Sequence, residues 1–454
     1  MPCHQKDQSR HGGFPDTIMA GVIDDEFQSE VYAFGLNSDG QLGLPQGDLP
    51  NEYTPKSVKS LRGKDVVDIE SSRKASAAIG SNGVLYTAGC NDANELGREG
   101  RRFAFVPVAL LDAHKVSGCG VGNGFLIALT SPQGQIFSVG ANANAELGLG
   151  DREPREKFKL VKGMLREERV AMLKSGDAHT VGLLSNGGIF TFGAGRVGQM
   201  GNGQFTSCSY PQLLASLKNR PIVSVKCGAA HCLAMTSGGI VFAWGGNSFG
   251  QLGLGDTKDR LRPTEISGIR VARPSRIFSG AFHSMALTPK GNLFSWGKNN
   301  QGQCGHGSTE NVLSPRLIQA FTGGADILGA VGDVSCGHDH SMVVVFSKST
   351  ISGATNRFKR KRTLYGFGSN VCGQLGMPAS DRSFRLPKKV RFFSEHNIAI
   401  DRVFCGSFHT FVTSCKDYER KMGTNNFQSP ILSARKIEVL VKGVILNGKQ
   451  NRAS

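Results

Sequence analysis

Five-residue runs in which large apolar side chains alternate with smaller ones, each ending on glycine, punctuate this chain: IFSVG at 136–140, IFTFG at 189–193, VFAWG at 241–245 and LFSWG at 293–297. Period-two alternation bounded by glycine predicts a short β-strand with one face buried. The stretch from 222 to 266 shows what surrounds such a run. Ile222, Val223 and Val225 predict one strand, Cys232 to Met235 a second and Ile240 to Trp244 a third, with Ser237-Gly238-Gly239 as the hairpin between the last two. Pro263-Thr264-Glu265-Ile266 supplies a fourth.

This pattern returns. VYAFGLNSDGQLGL (from Val31), LYTAGCNDANELGR (Leu85), IFSVGANANAELGLGD (Ile136), IFTFGAGRVGQMGNG (Ile189), VFAWGGNSFGQLGLGD (Val241), LFSWGKNNQGQCGHG (Leu293) and LYGFGSNVCGQLGM (Leu364) place their shared glycines at 35, 89, 140, 193, 245, 297 and 368. The steps are 54, 51, 53, 52, 52 and 71 residues. A second phrase precedes most copies: SGDAHTVGL, CGAAHCLAM, SGAFHSMAL, CGHDHSMVV and CGSFHTFVT, with Ala75 and Phe125 standing for the histidine in two degenerate copies. Four strands in about fifty residues fit a propeller blade. The first phrase opens the series at Val31 and the second closes it at Thr413, so the last half-unit can pair with the first. The fold class is therefore all-β, a seven-bladed β-propeller sealed by its N- and C-terminal half-repeats.

Composition agrees with that architecture. Glycine supplies 60 of 454 residues against 17 prolines, with no collagen-like triplet, as expected of many tight turns. No stretch has the ~18 to 20 apolar residues of a membrane helix, and the first residues lack a signal-peptide core. Eleven scattered cysteines with no C-x-x-C pair argue against a secreted disulfide framework. A soluble, intracellular protein is expected. The net charge of +17 is concentrated late: residues 341–454 hold 20 Lys plus Arg against 6 Asp plus Glu, leaving 33 against 30 before them.

Candidate chemistry is sparse. Gly246-Asn247-Ser248-Phe249-Gly250 matches G-x-S-x-G, but a nucleophile elbow must open a helix and another glycine turn follows here. Residues 443–450, GVILNGKQ, have phosphate-loop spacing with Gln450 in place of the magnesium-binding hydroxyl and only four residues after it. The repeated histidines His179, His231, His283, His340 and His409 sit one per blade around an axis, whereas zinc needs ligands converging at about 2.0–2.3 Å. They are expected to brace neighbouring turns. Cys227, Cys336 and Cys405, in one register, are expected to be small buried apolar residues, and the aromatic before each glycine should pack between blades. No catalytic residue, cofactor or metal is expected.

The paired G-x-x-H-x-x-A-L and [VL]-[YF]-x-[WF]-G-x-N-x-x-G-Q-L-G phrases over residues 31–414 resemble the regulator-of-chromosome-condensation (RCC1) family of seven-bladed propellers. The resemblance implies one face that grips a Ran-type small GTPase and expels its nucleotide, and another that meets chromatin. Nucleotide exchange of that kind is binding work, without covalent chemistry. The GTPase-facing positions it implies are Asp177, His179, His283, Asp339, His340 and His409. Two features depart from the exchange-factor branch. Intervals of 51–54 residues leave no room for its inserted wedge, and residues 1–30 hold more acidic than basic side chains. The one insertion, at 347–363, carries Arg357, Lys359, Arg360, Lys361 and Arg362, dense enough for an importin-read signal or a phosphate-backbone contact, or else a solvated hairpin tip. Flanking segments are an N-terminal extension (1–30) and a basic tail (415–454) whose run IEVLVKGVIL could add a strand to a partner.

Two functional classes follow: a guanine-nucleotide exchange factor for a Ran-type GTPase with chromatin or nucleic-acid contact, or a non-catalytic interaction scaffold. Light sensing, as in the plant ultraviolet-B receptor of this family, needs a tryptophan cluster, and the chain has two tryptophans. A monomer without membrane contact is expected, in the nucleus or alternatively the cytoplasm.

Overall fold

The structure is a computed structural model describing residues 29–111, 113–166, 168–322, 329–350 and 358–414. The N-terminal extension before residue 29, Arg357 and the tail from 415 lie outside them.

In the stretch from 222 to 266 the strands run Ile222–Cys227, His231–Thr236, Val241–Gly245 and Arg260–Glu265, paired antiparallel in that order. Six such four-stranded sheets follow one another, with innermost strands Val66–Ser71, Lys115–Val121, Val170–Ser175, Ile222–Cys227, Arg276–Ser279 and Ala330–Cys336, which we number as blades one to six. The seventh sheet joins the two ends of the chain. Ile400–Cys405 and His409–Ser414 are continued by Val31–Leu36 and Asn51–Ser57, with Val31 opposite Thr413 and Gly35 opposite His409.

Apolar clusters lie between consecutive blades. Val181, Leu183 and Ile189 of blade three, for instance, pack with Ile222, Val225, Ala234 and Trp244 of blade four. The aromatic before the shared glycine, present in five of the seven phrases as Phe34, Phe192, Trp244, Trp296 and Phe367, fills this seam. Trp244 and Trp296 are fully buried and donate their indole N–H to the carbonyls of Gln199 and Gln251 in the preceding blade, at 3.0 and 2.9 Å. The glycine of the preceding Q-x-G turn makes room for them: a Cβ on Gly253 would come 2.8 Å from Trp296 Nε1.

The innermost strands enclose an axial channel of about 620 Å³. Its wall is polar. Lys174 pairs with Glu70, and Arg276 lies 2.6 Å from Asp333. Lys226 has no ion-pair partner among the described residues; burial, with Lys174 nearby, pushes its amine down to about 8. Cys227, Cys336 and Cys405 all line the channel, and Cys227 and Cys405 are only half-buried. The expectation of three buried fillers holds for Cys336 and is corrected at Cys227 and Cys405, whose side chains stay partly open to the channel.

The insertion before Leu364 is a strand extension. His340–Thr350 and Phe358–Ser369 stay paired out to Thr350 opposite Phe358, lengthening one hairpin of blade six. Strand alternation places this hairpin on the face opposite the G-x-x-H turns.

Candidate protein-binding face

The G-x-x-H spacing has a steric origin. The histidine ring lies over the glycine three residues earlier, so that a Cβ on Gly228 would come 2.1 Å from His231 Cε1. The ring then reaches into the next blade. His231 Nε2 is 3.0 Å from Ser284 Oγ, His283 Nε2 is 2.8 Å from Ser341 Oγ, and His340 Nε2 is 3.0 Å from Thr410 Oγ1. His409 Nε2, across the closing seam, is 3.2 Å from Ser76 Oγ. Where the hydroxyl also donates to a turn carbonyl, as Ser341 does to Gln303 at 2.8 Å, the shared hydrogen must sit on Nε2. Desolvation holds His283 down to about 4 and His231, His340 and His409 down to about 3, so these rings are neutral.

The turns are also tied to each other around the axis by backbone hydrogen bonds. Asn123 N–H donates to Asp177 O, Asp177 to Ala229, Ala229 to Ala281, Ala281 to Gly337, His338 to Ser407 and Ser407 to Ser72, at 2.9–3.2 Å. These six bonds span six of the seven blade junctions and fix where the variable turn residues point.

Those residues form a continuous patch across five blades. Phe249 and Phe282 meet edge to face at 5.4 Å, and His338 lies between Phe282 and Phe408, 5.1 and 5.0 Å from their centroids. Lys298 stands over Phe249 and Phe282 at 5.5 and 5.4 Å, and Arg73 over Phe408 at 5.5 Å. Asp339 anchors the centre. Its carboxylate accepts from Lys298 and Gln303, each at 2.9 Å, and from His338 Nδ1 at 2.7 Å. Burial alone would raise this carboxyl; His338 and Lys298 outweigh it and hold it near 2. The aromatic rings and His338 are half-exposed and Arg73 is exposed.

The residues singled out in the sequence divide accordingly. His179, His283, His340 and His409 are 0% exposed and brace the turns from beneath. Asp177 is exposed on the inner rim, where crowding by the converging turns raises its carboxyl, with His179 and His338 pulling it down. Asp339 is half-buried in the patch. On the opposite face, Lys361 is exposed, whereas Arg362 is held by Asp401 at 2.8 Å and the carbonyl of Ile400. Lys359 and Arg360 belong to the paired strand of the same hairpin. Sequence reasoning missed Phe249, Phe282, Lys298, His338 and Phe408. For Phe282, His338 and Phe408 the available signal was the departure of the G-x-x-H turn's two middle positions from alanine; Phe249 and Lys298 come from the glycine-rich loops that follow the third strands.

Comparison with known proteins places this geometry in context. The RCC1-like domain matches residues 30–352, and the regulator of chromosome condensation (RCC1) repeat matches residues 363–413. The chain is 29% identical to the ultraviolet-B receptor UVR8 of Arabidopsis thaliana, over 80% of this chain and 78% of that protein. It is 30% identical to the probable E3 ubiquitin-protein ligase HERC4 of Homo sapiens over 84% of this chain, which spans only 36% of that much longer relative. Among solved structures, Prp20p of Saccharomyces cerevisiae superposes with a TM-score of 0.72 at 19% identity, covering 88% of this chain and 96% of that one. Human WBSCR16 gives 0.70 at 20% identity, covering 85% and 99%. With the family matched over most of its length and seven blades closed end to end, this chain belongs to the RCC1-like domain family.

Proposed function

We propose that the chain regulates by docking a protein partner, a small GTPase of the Ran type, on the face formed by its G-x-x-H turns, and that it performs no covalent chemistry. The observation that carries this reading is the half-exposed patch of Phe249, Phe282, His338 and Phe408 around the Lys298–Asp339 pair. Aromatic and cationic side chains on a rigid base are the composition of interface hot spots. Asp177 and Asp339 supply the acidic groups on the same face. The fold shared with Prp20p, whose structure was reported with its binding to Gsp1p and histones, supports the choice of partner class. Exchange would require tighter binding of the nucleotide-free GTPase than of the loaded one.

The second reading, a scaffold without exchange activity, is favoured by the spacing of the blades: the first five intervals, 51–54 residues, accommodate no added wedge. The basic hairpin of blade six, on the other face, is assigned to an importin or to nucleic acid, which carries with it a nuclear location; a neighbouring solved complex is Kap60 bound to yeast RCC1 (Prp20).

Release of fluorescent GDP from a purified Ran-type GTPase, measured beside direct binding, separates these readings. Acceleration that is lost in Asp339→Ala supports exchange. Binding without acceleration supports the scaffold, and no binding at micromolar concentration sinks the GTPase reading. Alanine at Lys359, Arg360 and Lys361 should weaken importin or DNA retention; unchanged retention overturns that assignment.

A further inference from the structure

At the seam between blades three and four the tie between neighbours changes its chemistry. His179 Nε2 lies 3.1 Å from Cys232 Sγ, where the other four histidines meet Ser284, Ser341, Thr410 and Ser76. Cys232 in turn stands directly opposite Cys227 on the adjacent strand, a register at which blade five pairs Ser279 with Ser284. The three donor atoms, His179 Nε2 and both Sγ, lie within 4.8 Å of one another, and no other three His, Cys, Asp or Glu donors converge this way among the described residues.

We propose that His179, Cys227 and Cys232 bind one soft d10 metal ion, Zn(II) or Cu(I), with a fourth coordination position open toward the axial channel. Two sulfurs at about 2.3 Å and one imidazole nitrogen at about 2.0–2.1 Å from a common ion place the donors roughly 3.5–4 Å apart, which side-chain rotation reaches from the observed span. Soft thiolate with imidazole is the donor set these ions select. The thiols serve the tie less well than a hydroxyl: Cys232 Sγ is 3.6 Å from the Gln199 carbonyl, against 2.9 Å for Ser284 Oγ to Gln251, Cys227 Sγ reaches the Lys174 carbonyl at 3.2 Å, and a thiol is the weaker donor. Serine would keep the seam; cysteine adds affinity for a soft ion.

The surroundings leave the ion a way in. His179 and Cys232 are fully buried, whereas Cys227 is half-buried and lines the channel, which provides an entry path and room for a completing water.

The test uses the full chain, reduced and anaerobic, titrated with Zn(II) against a chromophoric chelator and, in a separate arm, with Cu(I) against a Cu(I)-specific competitor. One equivalent should bind in at least one arm, with X-ray absorption reporting two sulfur scatterers at about 2.3 Å and a nitrogen at about 2.0–2.1 Å. The double variant Cys227→Ser/Cys232→Ser reproduces the Ser279–Ser284 pair of blade five, should keep the native circular dichroism and thermal transition, and should lose that equivalent. His179→Gln should weaken binding at least tenfold. Equal uptake by the parent and the double variant would move the metal to other cysteines and overturn the site. So would the absence of uptake in both arms. Oxidative loss of about two mass units by a protein that takes up neither ion would identify a cross-strand disulfide instead.

Discussion

His283 Nε2 and Ser341 Oγ, from adjacent blades, lie 2.8 Å apart, and the serine hydroxyl passes its own hydrogen to the carbonyl of Gln303. Ser341→Ala leaves a fully buried ring N–H without that acceptor. The expected cost is about 1–3 kcal/mol, the penalty for an unsatisfied buried donor. Ser341→Thr keeps the hydroxyl, as Thr410 does one blade on, and should recover most of the loss. Urea unfolding midpoints of the two variants check this, and equal midpoints would remove the tie from the stability of the seam.

Acid should loosen the ring. Burial depresses His231, His340 and His409 to about 3 and His283 to about 4, whereas the unfolded chain titrates its histidines near 6.5. Below 6.5 the unfolded state therefore binds more protons, and stability falls as pH drops from about 6.5 toward 4; above about 7.5 these groups add no slope. Each histidine contributes up to about 1.4 kcal/mol per pH unit, so the four together cost on the order of 5 kcal/mol at pH 5.5. Denaturant midpoints at pH 8 and pH 5.5 should differ accordingly, and His283→Gln should narrow the gap.

Two glycines ten residues apart should respond in opposite ways. A Cβ on Gly228 meets the His231 ring at 2.1 Å and the Gly280 carbonyl at 2.6 Å, while one on Gly238, in the exposed hairpin, finds nothing nearer than 3.9 Å. Gly228→Ala should cost about 2–3 kcal/mol through forced displacement of the ring, and Gly238→Ala should stay within about 0.5 kcal/mol of the parent. Melting temperatures of the pair measure the contrast.

Asp333 joins three blades. It accepts from Arg276 of blade five at 2.6 Å and, through its other oxygen, from the backbone N–H of Val403 in blade seven at 3.2 Å. Asp333→Ala should destabilise by about 2–3 kcal/mol, since Arg276 is one-third exposed and retains the Gly332 carbonyl, but the Val403 donor is left buried. A loss below about 0.5 kcal/mol by urea titration would make the network decorative.

The blades were legible because every strand of one unit recurs with its turn residues at fixed offsets. The runs at Ile222, Cys232 and Ile240 differ from the observed strands by no more than two residues at either end. Closure was legible from phase alone. The patch was not, because Phe249, Phe282, His338 and Phe408 occupy positions where repeats differ, and their contact depends on how turns fifty or more residues apart converge on the axis. Likewise, a histidine in one blade says nothing about its sulfur neighbours until the next blade is set against it. Asp339 was named through the family resemblance, and the structure adds the three partners that hold its charge.

Sharing the seventh sheet between the two ends of the chain has a consequence for biosynthesis. Val31–Leu36 leaves the ribosome well before its mate His409–Ser414, which lies more than 370 residues further along the chain. At about 5–20 residues per second, that delay is on the order of tens of seconds, during which a naked strand edge is open to foreign pairing. Nascent-chain protection, more than refolding from denaturant, should therefore govern the yield of native rings in the cell.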